Sequence, residues 1–158
     1  MSNDTHMLLR TPLSAAEVRA ALVHDPALAN LGLVDFPVQG EVGSDWINLI
    51  VRPWREDDHD LIEDGFETAT VRVKFIPGWG TEGWEAEQRA LAAILRLVPG
   101  DVCLANQDAA GPDLLRLDGV VYINPDGFRP ENLTDFGYVP ERLVVGIPAG
   151  AAETAAAE

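Results

Sequence analysis

Two stretches of this chain place residues at spacings that chemistry can use. Gly78-Trp79-Gly80-Thr81-Glu82-Gly83 fits G-x-G-x-x-G, the turn by which a strand hands a dinucleotide pyrophosphate to the start of a helix. The residues around the glycines oppose that use. The strand before it, Thr70 to Phe75, alternates apolar and polar side chains, whereas the first strand of a dinucleotide-binding sheet is buried on both faces. Pro77 and Trp79 crowd a turn whose glycines should let phosphate reach the backbone. Glu82 adds negative charge where phosphate would sit, although that charge suits the helix dipole. Asp101 lies near the offset of a ribose-binding acid but opens the next strand, whereas that acid belongs at a strand end. No nucleotide cofactor is expected here.

The second stretch is acidic. Seven acids and one base fall between Trp54 and Glu67. Asp57, Asp58, His59 and Asp60 offer oxygen and nitrogen ligands to a divalent cation, yet the spacing is not that of an EF-hand and its glycine is missing. Isolated carboxylates are costly to bury, so this segment belongs outside, as a solvated or partner-binding loop. Trp54, Asp57, Asp58, Asp60, Glu63, Asp64 and Trp79 are the candidate partner-binding residues, the two tryptophans as aromatic anchors beside loops. Trp84, at helical spacing with Leu91 and Leu95, is expected in the core.

Catalytic constellations do not emerge. His6 and His24 have no serine or cysteine near them in sequence, Cys103 between Val102 and Leu104 is a small core residue, and no motif selects two carboxylates. No catalytic, metal or cofactor residue is assigned, and the chain is expected not to be an enzyme.

Composition narrows the partner. With 158 residues the chain fits one domain, large enough for a core without covalent staples, and its single cysteine excludes an internal disulfide. No apolar run is long enough to span a bilayer, and a cytoplasmic protein is expected. Twenty-six acids against eleven bases leave a net charge of −15. That field repels nucleic acid and anionic membranes and favours encounter with a basic protein surface.

The elements that must position these residues follow from periodicity. Residues 1–6 are polar and expected to be a disordered leader, and 149–158 an Ala-rich disordered tail, around one domain over 7–148. Met7–Arg10 reads as a strand. Ser14 and Glu17 form a capping box opening a helix over 14–24. Leu33–Val38, Trp46–Arg52 and Thr68–Ile76 read as strands, with Gly40 to Asp45 as a turn. A second helix covers 81–98, with Glu85 and Arg89 paired on its outer side, and Pro99-Gly100 stops it. Val102–Ala105 is a short strand, and Asp118-Gly119 closes a hairpin over 114–123. Pro130–Phe136 gives a short helix and Leu143–Ile147 a last strand. Strands without regular βαβ alternation predict an α+β domain, mainly an antiparallel sheet with two principal helices on one face.

Several of these stretches resemble one family. TVRVKF at 70–75, the helix end Leu97-Val98-Pro99-Gly100-Asp101, VCLAN at 102–106 and the hairpin LLRLDGVVYINP at 114–125 are similar to the swarming-inhibition (Sit) type immunity proteins. LLRTPLSAAEVRAAL at the start and PENLTDFGYVPERL near the end resemble that family's ends, so the likeness covers most of 7–147. The resemblance implies no catalytic residues. It implies a cytoplasmic antidote that binds and neutralises a cognate toxin; the acidic composition suits a toxin with a basic active-site surface. The alternatives are an acidic adaptor subunit unrelated to toxins, or a small-molecule enzyme using a pocket between helix and sheet.

Overall fold

A computed structural model describes residues 5–54, 68–106 and 112–148. In chain order these form β1 (Thr5–Arg10), α1 (Ala15–Val23), a 3-10 turn (Pro26–Leu31), β2 (Val34–Phe36), β3 (Glu41–Gly43), β4 (Ile47–Pro53) and β5 (Val71–Pro77). Then follow α2 (Gly80–Leu97), β6 (Asp101–Asn106), β7 (Pro112–Leu117), β8 (Val120–Ile123), α3 (Glu131–Thr134) and β9 (Arg142–Val145). One nine-stranded sheet runs in the order β2-β3-β4-β5-β1-β6-β7-β8-β9. It is antiparallel except for β8 and β9, which pair parallel across α3. The domain is α+β.

The chain's first described strand lies near the centre of this sheet. β1 pairs antiparallel with β5 on one side and β6 on the other, so β5 and β6 run parallel to each other and α2 links them. Alternation divides β1 between two layers. Met7 and Leu9 join α1 and α2 in the main core, with Val71, Val73, Phe75, Leu91 and Ile94. Leu8, Cys103, Leu115 and Ala69 form a smaller cluster on the opposite face, so Cys103 is a fully buried core residue.

Three sequence expectations need correction. The leader does not extend to residue 6: Thr5 and His6 belong to β1, and His6 is buried. Their polar side chains are carried there because a central strand satisfies its backbone on both edges, with Thr5 opposite Phe75 and Asn106. Residues 41–43 are a strand rather than part of a turn, held between β2 and β4. Beyond α1 the chain continues as the 3-10 turn, capped by the Asp25 carboxylate, which accepts from the Ala27 N–H and pairs with Arg96 on α2. Arg89 stands 5.9 Å from the Phe136 ring centroid, the contact shown in place of the expected Glu85 pair.

Other local signals hold. The Ser14 Oγ accepts from the Glu17 N–H at 3.1 Å while Glu17 accepts from the Ser14 N–H at 3.0 Å, completing the capping box. The Ser14 backbone N–H, and after it the Ser14 hydroxyl, hold the Glu17 carboxyl below its ordinary range. Asp118 (φ 49°) and Gly119 (φ 81°) turn the β7–β8 hairpin through the left-handed region that favours Asp-Gly.

Burial on α2 has a consequence for pH. Desolvation raises the pKa of Glu87, against a smaller opposing effect of the Thr5 hydroxyl. An acid raised in the folded state holds its proton more tightly there. Stability is therefore lost as pH rises from the unfolded carboxyl range through the folded pKa. Glu87→Gln is expected to melt above the wild type at pH 7, the advantage vanishing below about pH 4. Thermal melts at both pH values check this, and an advantage that persists in acid contradicts it.

Candidate partner-binding surface

At one end of the sheet, β4 begins, β5 ends and α2 starts. The β3–β4 turn is fixed by Ser44, whose Oγ accepts from the N–H of Trp46 and of Ile47 at 3.2 and 3.3 Å, while Ser44 N–H donates to the Ile47 carbonyl at 2.9 Å. That turn sets Trp46 on the rim, 43% exposed. The Gly78 N–H donates to the Trp46 carbonyl at 2.8 Å, tying the start of β4 to the chain between β5 and α2. Ile76, the penultimate residue of β5, is 41% exposed beside this join.

Trp79 follows as the residue capping α2. It lies between two glycines, has extended backbone (φ −78°, ψ 151°), makes no side-chain cap bond and is 98% exposed. An indole of that size left wholly in water forgoes more burial than any other side chain in the described residues. Trp84, expected in the core, is instead 48% exposed. Helical periodicity does place it in line with Leu91 and Leu95, which are buried. Its ring meets Phe136, just beyond α3, edge to face with centroids 6.0 Å apart. Trp46, Ile76, Trp79, Trp84 and Phe136 lie around this end on two sides of the sheet: Ile76 alternates with the core residue Phe75 and so faces away from α2, while Trp84 and Phe136 meet each other on the helix side. Asp45, Glu82, Glu85 and Asp135 are exposed neighbours of these residues in the chain, and Arg89, against Phe136, is the base among them.

The glycines of the G-x-G-x-x-G stretch serve the chain itself. A Cβ on Gly78 would stand 2.9 Å from the Trp46 carbonyl oxygen, and one on Gly83 only 2.0 Å from the Gly78 carbonyl oxygen. Gly80 has φ +77°. Each glycine is thus required by backbone approach or backbone angle where β5 turns into α2. Strand β5 runs antiparallel to both its neighbours, so this turn does not belong to a parallel dinucleotide-binding sheet.

The structure separates the two tryptophans named from sequence. Trp54 leaves β4 at the opposite end, its N–H donating to the Thr70 carbonyl at 3.0 Å. The seven residues of β5 lie between that end and Trp79, a span of roughly 20 Å. Trp54 is half-buried, packed on the Leu8–Cys103–Leu115 cluster, so its ring supports the second face of the sheet. Asp57, Asp58, Asp60, Glu63 and Asp64 lie outside the described residues.

Elsewhere two open clefts are bordered by arginines that are already engaged. One of about 500 Å³ is bordered by Asp101, Asp118, Glu141, Tyr138 and Arg116, and Arg116 is held by backbone carbonyls. Another of about 590 Å³, beside the start of α1, is bordered by Arg19 and Arg52. Arg19 pairs with Asp35 at 3.0 Å and donates to the Val51 carbonyl, and Arg52 forks onto the Gln39 carbonyl. Burial raises the pKa of Asp113, at the start of β7. Among the described residues no group of three or more His, Cys, Asp or Glu is placed to hold a metal ion, and no helix is long and apolar enough to cross a membrane.

Comparison of the chain with protein-family models, with curated proteins and with solved structures gives no match.

Proposed function

We propose that this protein is a cytoplasmic binding protein of the immunity type, which neutralises a cognate toxin by covering it, and that it is not an enzyme. The observation that carries the reading is Trp79, 98% exposed at the turn from β5 into α2, on a chain of net charge −15. A large amphipathic ring held out by a rigid strand-to-helix turn loses little conformational entropy when a partner covers it. The charge supplies the other half. A strongly acidic antidote is drawn onto a basic active-site surface, such as one built to hold phosphates, before short-range contacts form. The resemblance of 7–147 to Sit-type immunity proteins points the same way.

The test looks for a toxin-like protein encoded beside this chain and pairs the two. Co-expression is expected to restore growth to cells killed by that protein. The purified pair is expected to associate about tenfold or more slowly when salt is raised from low to several times physiological strength. Killing that continues despite abundant folded antidote overturns the reading.

A further inference from the structure

We infer that the outer edge of β9 is an interaction surface, and that its occupant is β9 of a second copy of this chain, laid antiparallel so that the sheet continues across a two-fold axis. The ladder decides which backbone groups are on offer. The Gly146 N–H donates to the Ile123 carbonyl at 2.7 Å, and β8 and β9 run parallel with Ile123 opposite Val145. In such a ladder Arg142, Val144 and Gly146 bond to β8, so the N–H and C=O groups of Leu143 and Val145 point away from it. β9 ends the sheet, and among the described residues nothing bonds to Leu143 or Val145 from its far side. The side chains suit an apolar contact. Val145 is 60% exposed, Leu143 and Val144 are half-buried, and Arg142 is the one charge from 142 to 148.

The opposite edge of the sheet is protected. β2 has three residues and pairs with β3 alone. The Val51 N–H donates to the Gly40 carbonyl and the Ser44 N–H to the Ile47 carbonyl, which turns the even-numbered residues of β3 toward β4. Val34 and Phe36 therefore bond to β3, and Asp35 is the β2 residue whose backbone faces out. A carboxylate on the outward residue and Pro37 directly after the strand blunt that edge against pairing. From 142 to 147 the β9 stretch runs Arg-Leu-Val-Val-Gly-Ile, with neither acid nor proline.

A second copy matches this edge by its own register. With the axis through Val144, Leu143 of each copy stands opposite Val145 of the other. Both are outward-facing residues, so each pair exchanges both of its N–H···O bonds. Val144 meets its equivalent and Arg142 falls opposite Gly146, so apolar side chains oppose apolar ones and no like charges meet. The basic partner invoked above does not suit this strand, which offers it no acid.

Sedimentation velocity on the full chain, from about 5 to about 500 µM, is expected to show a reversible monomer–dimer equilibrium. Each copy carries −15 and the contact itself is uncharged, so the dimer is expected to tighten severalfold from low to high salt. Amide exchange locates the contact. The Leu143 and Val145 N–H groups are expected to exchange freely in dilute solution and about tenfold more slowly at the concentrated end, with Asp35 unchanged. Val145→Lys sets a charge into the pairing through an exposed side chain, and is expected to weaken the dimer about tenfold at an unchanged melting temperature in dilute solution. Val145→Thr keeps a branched, strand-forming side chain and is expected to dimerise within about threefold of the wild type. A monomer at every concentration, a dimer whose Leu143 and Val145 amides exchange freely, protection that does not depend on concentration, or association that salt weakens each overturns the proposal. None of these measurements involves a toxin, so this inference and the immunity reading fail separately.

Discussion

Replacing Arg116 by methionine is expected to destabilise the fold by about 3 kcal/mol, a fall of roughly 6 to 12 °C in melting temperature for a domain of this size. Arg116 is buried on β7, on the face that carries the helices, at the end where α2 stops. Its Nε donates to the Gly100 carbonyl at 2.9 Å, Nη2 to Val98 at 2.5 Å, and Nη1 to Leu95 at 2.5 Å. The last carbonyls of a helix have no partner within it and carry the negative end of its dipole. One guanidinium therefore caps α2 and fastens the Val98-Pro99-Gly100 turn to the sheet. Methionine keeps the apolar stem but leaves those carbonyl oxygens without their guanidinium donors. Lysine at 116 is expected to recover only part of the loss, because a single ammonium cannot reproduce a planar fork directed at three acceptors. Urea melts of the three proteins decide it. A methionine variant within about 1 kcal/mol of the wild type would mean that water or a rearranged turn satisfies the carbonyls.

The parts of the fold that were legible in sequence are those whose pattern is local and long. TVRVKF alternates cleanly, and its Val71, Val73 and Phe75 are buried as that alternation requires. Helix α2 has five turns of consistent stripe, and Asp118-Gly119 names its own turn geometry. Strand β3 was not legible. It has three residues, one a glycine, and becomes a strand because β2 and β4 pair with it on either side. Thr5 and His6 likewise read as leader because their composition is polar, whereas the ladders to β5 and β6 decide their state.

The candidate surface divides along the same line. The exposure of Trp79 followed from its place between two glycines at the mouth of a helix. That of Trp84 did not, because helical periodicity reports which way a side chain points and is silent about what covers it there. The meeting of Trp46 with the Gly78–Trp79 turn is a matter of register, Ile47 opposite Pro77, which no single stretch encodes. The separation of Trp54 from Trp79, in contrast, was implicit in the expected strand over Thr68–Ile76. An extended segment of that length carries the chain from one end of a sheet to the other, so residues on either side of it cannot share a loop cluster.

Gly83→Ala is expected to destabilise the fold by about 3 kcal/mol or more, against the helix-forming preference of alanine. In an open helix the exchange would stabilise by roughly 1 kcal/mol. Here the new methyl would stand 2.0 Å from the Gly78 carbonyl oxygen, 2.4 Å from its carbon and 3.0 Å from its Cα. All three atoms are backbone, and the Gly78 N–H is bonded to the Trp46 carbonyl at 2.8 Å, so the obstacle cannot swing away as a side chain would. Relief requires α2 to lift from the end of β5, which strips packing from Ala86 and Ala90 behind it. Gly80→Ala is the control. Its Cβ meets nothing closer than the Glu82 Oε2 at 3.5 Å, so only its φ of +77° is penalised, by roughly 1 to 2 kcal/mol. The order of the two variants in thermal melts separates close packing from backbone conformation as the reason for this glycine pattern. If the glycines instead served a bound pyrophosphate, the wild type would gain several degrees with a dinucleotide or ATP, and the unliganded Gly83 variant would melt with it. The packing account expects no gain with any nucleotide and a fall of at least about 6 °C in the unliganded variant.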